Sequence, residues 1–175
     1  IDEAKKWSGL GLFAVANRRV VRRSAALMEM RQKPYWANFI FKELGSYSSK
    51  RSARLASFGL IFAFLVISTP LRHIVRRFLP KPGEGPDKET RENGWFKGLF
   101  KVEAEDGEIK YFQIYGEGDP GYKATAQMVC ESAMTLAISE ELDLGGVLTS
   151  AYGLGNPLLE RLINSGIKFE EVIYN

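Results

Sequence analysis

The sequence is constrained most by a run of 17 uncharged, largely apolar residues at positions 55–71. Basic residues precede and follow this run, and no acidic residue lies within it. A helix that spans a bilayer needs about 20 apolar residues, with a range of about 17–25, and Pro70 shortens the helical part. The pattern therefore favours a helix that lies on a membrane surface. A buried core helix is the alternative that the length of the run leaves open.

Two sets of side chains in and around this segment are predicted to contact a membrane. Apolar side chains would enter the acyl layer, and basic side chains would meet the lipid headgroups. The apolar set is Phe58, Leu60, Ile61, Phe62, Phe64 and Leu65, and the basic set is Arg54, Arg72, Arg76 and Arg77. Membrane lipid is thus one predicted partner of the chain.

Charge divides the chain into two regions. Residues 1–82 carry 16 basic and 4 acidic side chains, a net charge of +12, whereas residues 83–175 carry 8 and 17, a net charge of −9. A Pro- and Gly-rich stretch at 79–86 separates them, which predicts a basic helical region at 1–82 and a second domain at 83–175. The basic region suits an anionic partner, although neutralisation between the two regions is an alternative. Nucleic acid is disfavoured, because the basic residues interleave with the apolar run.

The metal-ligating and redox residues of the chain are few. One cysteine and one histidine predict no zinc site and no internal disulfide, and they suit a reducing compartment. Cys130 falls on an apolar helix face, where an inert core thiol is expected.

Periodicity and turn signals predict an α+β fold. Amphipathic helices are expected over residues 14–31 and 35–44, and a short helix capped by Asp87 is expected before Gly94. Asp106-Gly107 then predicts a β-hairpin with a type I′ turn. Further along, the pattern predicts a helix that opens at Asp119-Pro120, a strand over 147–149, a helix over 158–164 and a strand over 167–173. The predicted architecture is an antiparallel or mixed sheet with a β-hairpin and covering helices, preceded by amphipathic and apolar helices.

The segment from Gly116 to Gly121 matches the G-x-G-x-x-G pattern of dinucleotide-binding loops, but its context disfavours that function. Its strand belongs to a hairpin instead of a parallel βαβ unit, and two carboxylates would lie where a pyrophosphate binds. A turn into a helix, with Asp119 as the cap, is the better interpretation. Backbone and hydroxyl donors at the helix start would remain available for a substrate. The candidate substrate-binding residues are Asp119, Gly121, Tyr122 and Thr125.

Four segments carry a family resemblance: VANRRVVRRSAAL, RFLPKPGEGPDKETRENGWFKGLF, GEGDPGYKATAQMVCESAMTLA and GGVLTSAYGLGNPLLERLINSGIKFEEV. In this order they resemble the C-terminal part of saccharopine dehydrogenase-like oxidoreductases, and they span nearly the whole chain. One departure is Ser150, where some members have proline. Members act as saccharopine reductases or as trans-acting enoyl reductases, and animal members are associated with lipid droplets and membranes.

The resemblance implies the substrate and membrane domain of an NAD(P)-dependent oxidoreductase, inactive alone because its N-terminal Rossmann domain is missing. No cofactor is then expected on this chain by itself, and the implied partners are that Rossmann domain or another protein subunit. A non-catalytic subunit of a membrane assembly is the alternative. Lipid droplets, the endoplasmic reticulum surface and mitochondrial membranes are the expected locations.

Overall fold

The computed structural model describes residues 6–33, 39–79, 81, 83–140, 142 and 144–173. Contacts along the chain divide it into two compact units, Ile1–Gly85 and Pro86–Asn175. The elements of the first unit are β1 (Trp7–Leu10), α1 (Ala14–Met30), β2 (Leu44–Tyr47), α2 (Lys50–Ile67), α3 (Arg72–Val75) and a 3₁₀ turn (Arg76–Phe78). Those of the second unit are α4 (Lys88–Asn93), β3 (Trp95–Glu103), β4 (Ile109–Glu117), α5 (Lys123–Ile138), α6 (Ser150–Asn164) and β5 (Lys168–Val172).

In the first unit, a two-stranded antiparallel sheet packs against the start of α2. Trp7 of β1 pairs with Tyr47 of β2. A Cβ atom on Gly9 would lie 2.8 Å from the Tyr47 ring and 3.1 Å from the carbonyl oxygen of Ala53, so glycine is what allows β1 to approach the helix. Ala53 is consequently the buried apolar residue of α2. Helix α2 begins at a capping box, in which Ser49 and Ser52 satisfy each other's backbone N–H groups.

The helix predicted over residues 35–44 is wrong where the structure describes it. Residues 39–43 have no regular structure, and Leu44 begins β2; positions 34–38 lie outside the described residues. Pairing with β1 outweighs the helical spacing of the apolar residues here. The helix predicted over 14–31 is confirmed as α1.

The second unit is built on a three-stranded antiparallel sheet in the order β3-β4-β5. The predicted α+β class is confirmed, and both sheets among the described residues are antiparallel. The helix before Gly94 is also confirmed as α4, whose cap is the Asp87 carboxylate accepting the N–H of Thr90 at 2.7 Å. The helices α5 and α6 pack on each other, and the buried residues include Ala124, Thr135, Leu154, Leu158 and Ile167.

The β3–β4 hairpin is confirmed, but its turn is not the predicted type I′. Gly107 donates to the carbonyl of Ala104 and has φ +86°, whereas Asp106 does not have a positive φ. A turn followed by one left-handed glycine makes a three-residue loop with a G1 bulge. A type I′ turn would instead require positive φ at both central residues, which is strained for aspartate.

One further prediction about the second unit is wrong. Residues 147–149 do not form a strand: they lie in an irregular segment before α6 and belong to neither described sheet. The helix predicted over 158–164 is confirmed as the second part of α6, which begins at Ser150 and comprises two helices that meet at a kink at Gly155, where φ is +47°. The pattern of Asn156 and Pro157 marks this interruption, after which the helix resumes.

Candidate functional site

The candidate site is the turn that joins β4 to α5, and its backbone is held by α4. Gly118 donates to the carbonyl of Gly94 at 2.6 Å, and Asp119 donates to the carbonyl of Arg91 at 3.0 Å. A Cβ atom on Gly94 would lie 2.6 Å from both the N and the Cα of Asp119. Gly118 itself has φ +90°, which glycine adopts without strain. The position of Asp119 is therefore fixed by a glycine that precedes it by 25 residues.

Asp119 acts as a structural cap in this turn. Its carboxylate Oδ2 accepts the backbone N–H of Tyr122, the residue directly before α5, at 2.9 Å. The expectation that the Tyr122 N–H is free to bind a substrate is therefore wrong, because Asp119 already uses it. The carboxylate places negative charge at the positive end of the helix dipole, which is a stabilising arrangement.

The other candidate residues are Gly121, Tyr122 and Thr125, and they differ in whether their hydrogen-bonding groups are already used. The Thr125 hydroxyl donates to the carbonyl of Pro120 at 2.5 Å, so its proton is used within the turn. Tyr122 is 53% exposed. A Cβ atom on Gly121 would lie 3.2 Å from the Asp119 carboxylate, so glycine leaves room beside that group. Among these candidate residues, the Gly121 N–H and the Tyr122 hydroxyl are thus the exposed hydrogen-bond donors.

Lys123 connects the start of α5 to α4, a contact that the sequence pattern did not indicate. Its ammonium group donates to the Glu92 carboxylate. This hydrogen bond, helped by the positive charge of Lys123, lowers the pKa of Glu92. Lys123 is therefore a tether in addition to a solvated helix residue. Arg91, Glu92 and Gly94 carry no motif, and only the fold reveals their role in positioning the turn.

Helix α5 turns its apolar face outward. Val129, Met134 and Ile138 are 62%, 46% and 58% exposed. Cys130 on the same side is also exposed, which corrects the expectation of a buried thiol. The opposite side of α5, which carries Gln127 and Glu131, contacts α6 instead.

The α5–α6 contact includes polar pairs beside its buried apolar residues. The Gln127 amide donates to the Ser165 carbonyl at 2.7 Å, and Arg161 Nη2 lies 2.8 Å from Glu131 Oε2. Arg161 Nε is buried and has no hydrogen-bond partner within the described part of the chain. These pairs face α6 and leave the apolar side of α5 exposed.

The apolar segment of the first unit is exposed for most of its length. Phe58, Phe62 and Phe64 are 69%, 68% and 71% exposed, and Ile61 and Leu65 are also exposed. Leu60 is half-buried, and Arg54, Arg72, Arg76 and Arg77 are exposed. A buried core helix, the alternative reading of this segment, therefore does not describe α2 within its unit.

No single described helix has both the length and the apolar character needed to cross a bilayer, while α2 and Arg72–Phe78, bent by 101°, satisfy the criterion only as a pair. The same described residues contain no group of three or more His, Cys, Asp or Glu side chains that could hold a metal ion.

Comparison with known proteins identifies similar sequences in mycobacteria. The chain is 32% identical to a Mycobacterium tuberculosis protein assigned provisionally as a trans-acting enoyl reductase, over 94% of this chain and 41% of that protein. It is 30% identical to the trans-acting enoyl reductase of Mycobacterium bovis, over 92% of this chain and 40% of the relative. The chain thus spans about two fifths of the length of these relatives. No family model and no solved structure matches it.

These similarities correct the family assignment made from the sequence. The relatives are named trans-acting enoyl reductases, so the saccharopine dehydrogenase-like resemblance and the function drawn from it are wrong. The alternative of a non-catalytic subunit in a membrane assembly is likewise not what the relatives are named for. The lipid-droplet and mitochondrial locations came with that resemblance and have no support. Over nearly all of its length, this chain is similar to part of a trans-acting enoyl reductase.

Proposed function

We propose that this chain contributes to a trans-acting enoyl reductase, an enzyme that reduces the carbon–carbon double bond of an acyl group carried by a separate protein. The observation that carries the proposal is the continuous similarity to such proteins over 94% of the chain at 32% identity. A similarity of this extent covers both units, so each unit has its counterpart in the relative.

Reduction of an enoyl thioester needs a hydride for the β-carbon and a proton for the α-carbon. A nicotinamide cofactor supplies the hydride in reactions of this class, and the protein supplies binding and orientation. The proposal therefore includes NAD(P)H as the reductant.

The β4–α5 turn of this chain does not fit that cofactor. The Asp119 carboxylate already occupies the anion position at the start of α5, and Glu117 adds a second carboxylate at the end of β4. Both would repel a pyrophosphate. In addition, β4 is antiparallel to β3 and β5, unlike the strand of a dinucleotide-binding βαβ unit. The proposal places the cofactor on another part of the enzyme.

The exposed apolar surface supports a second part that packs on this chain. The accessible surface is 13,960 Å². Two separate compact bodies of half the mass each would expose only about 10,400 Å². The exposed surface includes apolar residues on the outward side of α5 and on a sheet face where Phe100 pairs with Phe112 and Phe169 lies opposite Ile114. We expect the cofactor-binding part to cover some of this surface in the second unit.

Within this proposal, the start of α5 contacts the acyl substrate. The carbonyl oxygen of the bound thioester is an uncharged hydrogen-bond acceptor, so the carboxylates that would repel a pyrophosphate do not exclude it. The N–H of Gly121 and the hydroxyl of Tyr122 are the donors assigned to it, and Thr125 lines the same turn. Asp119 has a positioning role, because its carboxylate holds the Tyr122 backbone.

A chimera tests the proposed function. The aligned segment of the mycobacterial relative would be replaced by this chain, and NADPH oxidation would be measured with an enoyl thioester on a separate carrier protein. The matched control is the relative with the segment deleted. Activity in the chimera and not in the deletion protein supports the proposal.

The chimera must be shown to fold before its activity is interpreted. Circular dichroism and retained NADPH binding by fluorescence report folding and a competent cofactor part. A chimera that folds and binds NADPH, yet reduces no more substrate than the deletion protein, would refute the proposal.

A further inference from the structure

The first unit carries a large exposed apolar surface, here named the α2 surface. Its members are Leu55, Phe58, Ile61, Phe62, Phe64, Leu65 and Ile67 on α2, with Leu71, Ile74 and Phe78 just beyond it. Each is 48–84% exposed. With about 200 Å² for a whole aromatic side chain, the four phenylalanines alone expose roughly 580 Å². That already reaches the size of the largest apolar patch on a typical monomer, about 300–600 Å².

The α2 surface extends around the helix instead of forming one stripe. Residues in an α-helix are separated by about 100°, so Phe62 and Phe64 project in directions about 160° apart. Both are nonetheless about 70% exposed, at 68% and 71%. A protein partner packed on a single helix face would cover one of them, whereas an acyl layer can surround both. The distribution of exposed side chains therefore favours lipid over protein as the occupant.

Charge around the α2 surface is of one sign. The 40 residues from 44 to 83 contain seven Lys and Arg and no Asp or Glu. Arg54 lies just before the apolar residues, and Arg72, Arg76 and Arg77 lie just after them, all exposed. Basic side chains that border an apolar surface on both sides complement anionic headgroups, each contributing attraction near the membrane.

Trp7 of β1 also lies at the edge of the α2 surface. Trp7 is 48% exposed, and the Lys50 ammonium lies 5.5 Å from the centre of its ring. Trp7, Lys50, Arg54, Phe58 and Ile61 line one shallow groove. Tryptophan and lysine together at the edge of an apolar surface are typical of the membrane interface.

The length of the apolar helix sets how deeply it can enter. Leu55 to Ile67 comprises 13 residues, or about 20 Å of helix, which is shorter than the roughly 30 Å of a bilayer core. A helix of this length bordered by arginines at both ends fits within one leaflet.

We propose that the α2 surface binds one leaflet of a bilayer that contains anionic lipid. The apolar side chains enter the acyl layer, and Arg54, Arg72, Arg76 and Arg77 contact the headgroup phosphates. This binding is independent of the proposed reductase function, since it involves only residues of the first unit.

Vesicle flotation tests the proposal with the 175-residue chain. Vesicles of phosphatidylcholine alone would be compared with vesicles in which one third of the lipid is phosphatidylserine. We expect flotation with the anionic vesicles, weakened by salt because the headgroup attraction is screened. Absence of flotation with anionic vesicles, or equal binding to neutral ones, would overturn the proposal.

Variants locate the contact. Phe62→Asp with Leu65→Asp should abolish flotation, and because both side chains are more than half exposed, the fold should survive. Arg72→Gln should weaken binding roughly fivefold without touching the apolar residues. The matched control is Leu136→Asp with Ile173→Asp, which adds the same charge at exposed apolar positions of the second unit and should leave flotation unchanged.

The results with these variants distinguish lipid from a protein partner as the occupant of the α2 surface. Loss of flotation in the α2 variants and not in the control supports lipid binding. Unchanged flotation of the folded Phe62→Asp/Leu65→Asp variant would show that another surface binds lipid, and that the α2 surface is left for a protein partner. Circular dichroism establishes folding, and the Arg72→Gln variant provides the same decision if the double variant is unfolded.

Discussion

Replacement of Gly94 by alanine tests how the candidate site is positioned. The added Cβ would lie 2.6 Å from the N and Cα of Asp119 and 3.1 Å from its Cβ. Gly94 has φ −65° and ψ 164°, a backbone conformation that alanine adopts easily. The cost is therefore one of space alone. The atoms in the way belong to the backbone, so a side-chain rotation cannot relieve the contact.

The magnitude follows from two opposing effects. Overpacking costs about 1–3 kcal/mol. Alanine also restricts the unfolded chain, which returns about 0.4–1 kcal/mol. The expected loss is therefore about 1–2 kcal/mol, and it includes weakening of the bonds from Gly118 to Gly94 and from Asp119 to Arg91. For a unit of this size, about 1 kcal/mol corresponds to a decrease of about 4–8 °C in Tm.

Thermal unfolding followed by circular dichroism measures this effect. Gly145→Ala is the matched control, since a Cβ there meets nothing within 4 Å and the residue does not have a positive φ. We expect the control to match or exceed the stability of the parent chain. A Gly94→Ala variant as stable as the control would show that α4 does not hold the turn as described.

Three further changes probe the same unit. Glu131→Ala should cost about 1–3 kcal/mol in urea unfolding, because it leaves Arg161 half-buried without its partner; an unchanged midpoint would contradict this pairing. Lys123→Gln should lower the Tm above the ordinary Glu pKa of 4.5, since Lys123 lowers the pKa of Glu92 and stabilises its charged form. The difference should vanish as the pH falls through that lowered pKa, and a constant difference would contradict it. Asp119→Ala should cost about 1 kcal/mol through loss of the cap, measured by urea unfolding, whereas Asp119→Asn should retain most of it; equal effects would argue against capping.

Local signals in the sequence predicted local structure well. Asp87 and Gly94 bracket α4, and the alternating strands around Gly107 gave the hairpin. These features depend on neighbours in the chain, which a single sequence displays directly. The turn type was missed because Asp106-Gly107 is compatible with two hairpin loops, and the register of β3 and β4 selects between them.

Contacts between residues distant in the sequence could not be predicted in the same way. The side of α5 that meets α6 carries the polar residues Gln127 and Glu131, whereas hydrophobic periodicity pointed to the opposite face. Similarly, residues 39–44 show helical spacing, yet residues 39–43 have no regular structure and Leu44 begins β2, which pairs with β1. The role of Gly94 beside Asp119 depends on the same kind of contact, between residues distant in sequence.

The central claim is that this chain is part of an enzyme that reduces an acyl group carried by another protein. The direct measurement is mass spectrometry of an enoyl group on a separate carrier protein, incubated with the chimera and NADPH labelled with deuterium at the transferred position. We expect the acyl group to gain one deuterium and one hydrogen, and to gain neither when the segment contributed by this chain is deleted. An unchanged acyl mass with a folded, NADPH-binding chimera would contradict the account.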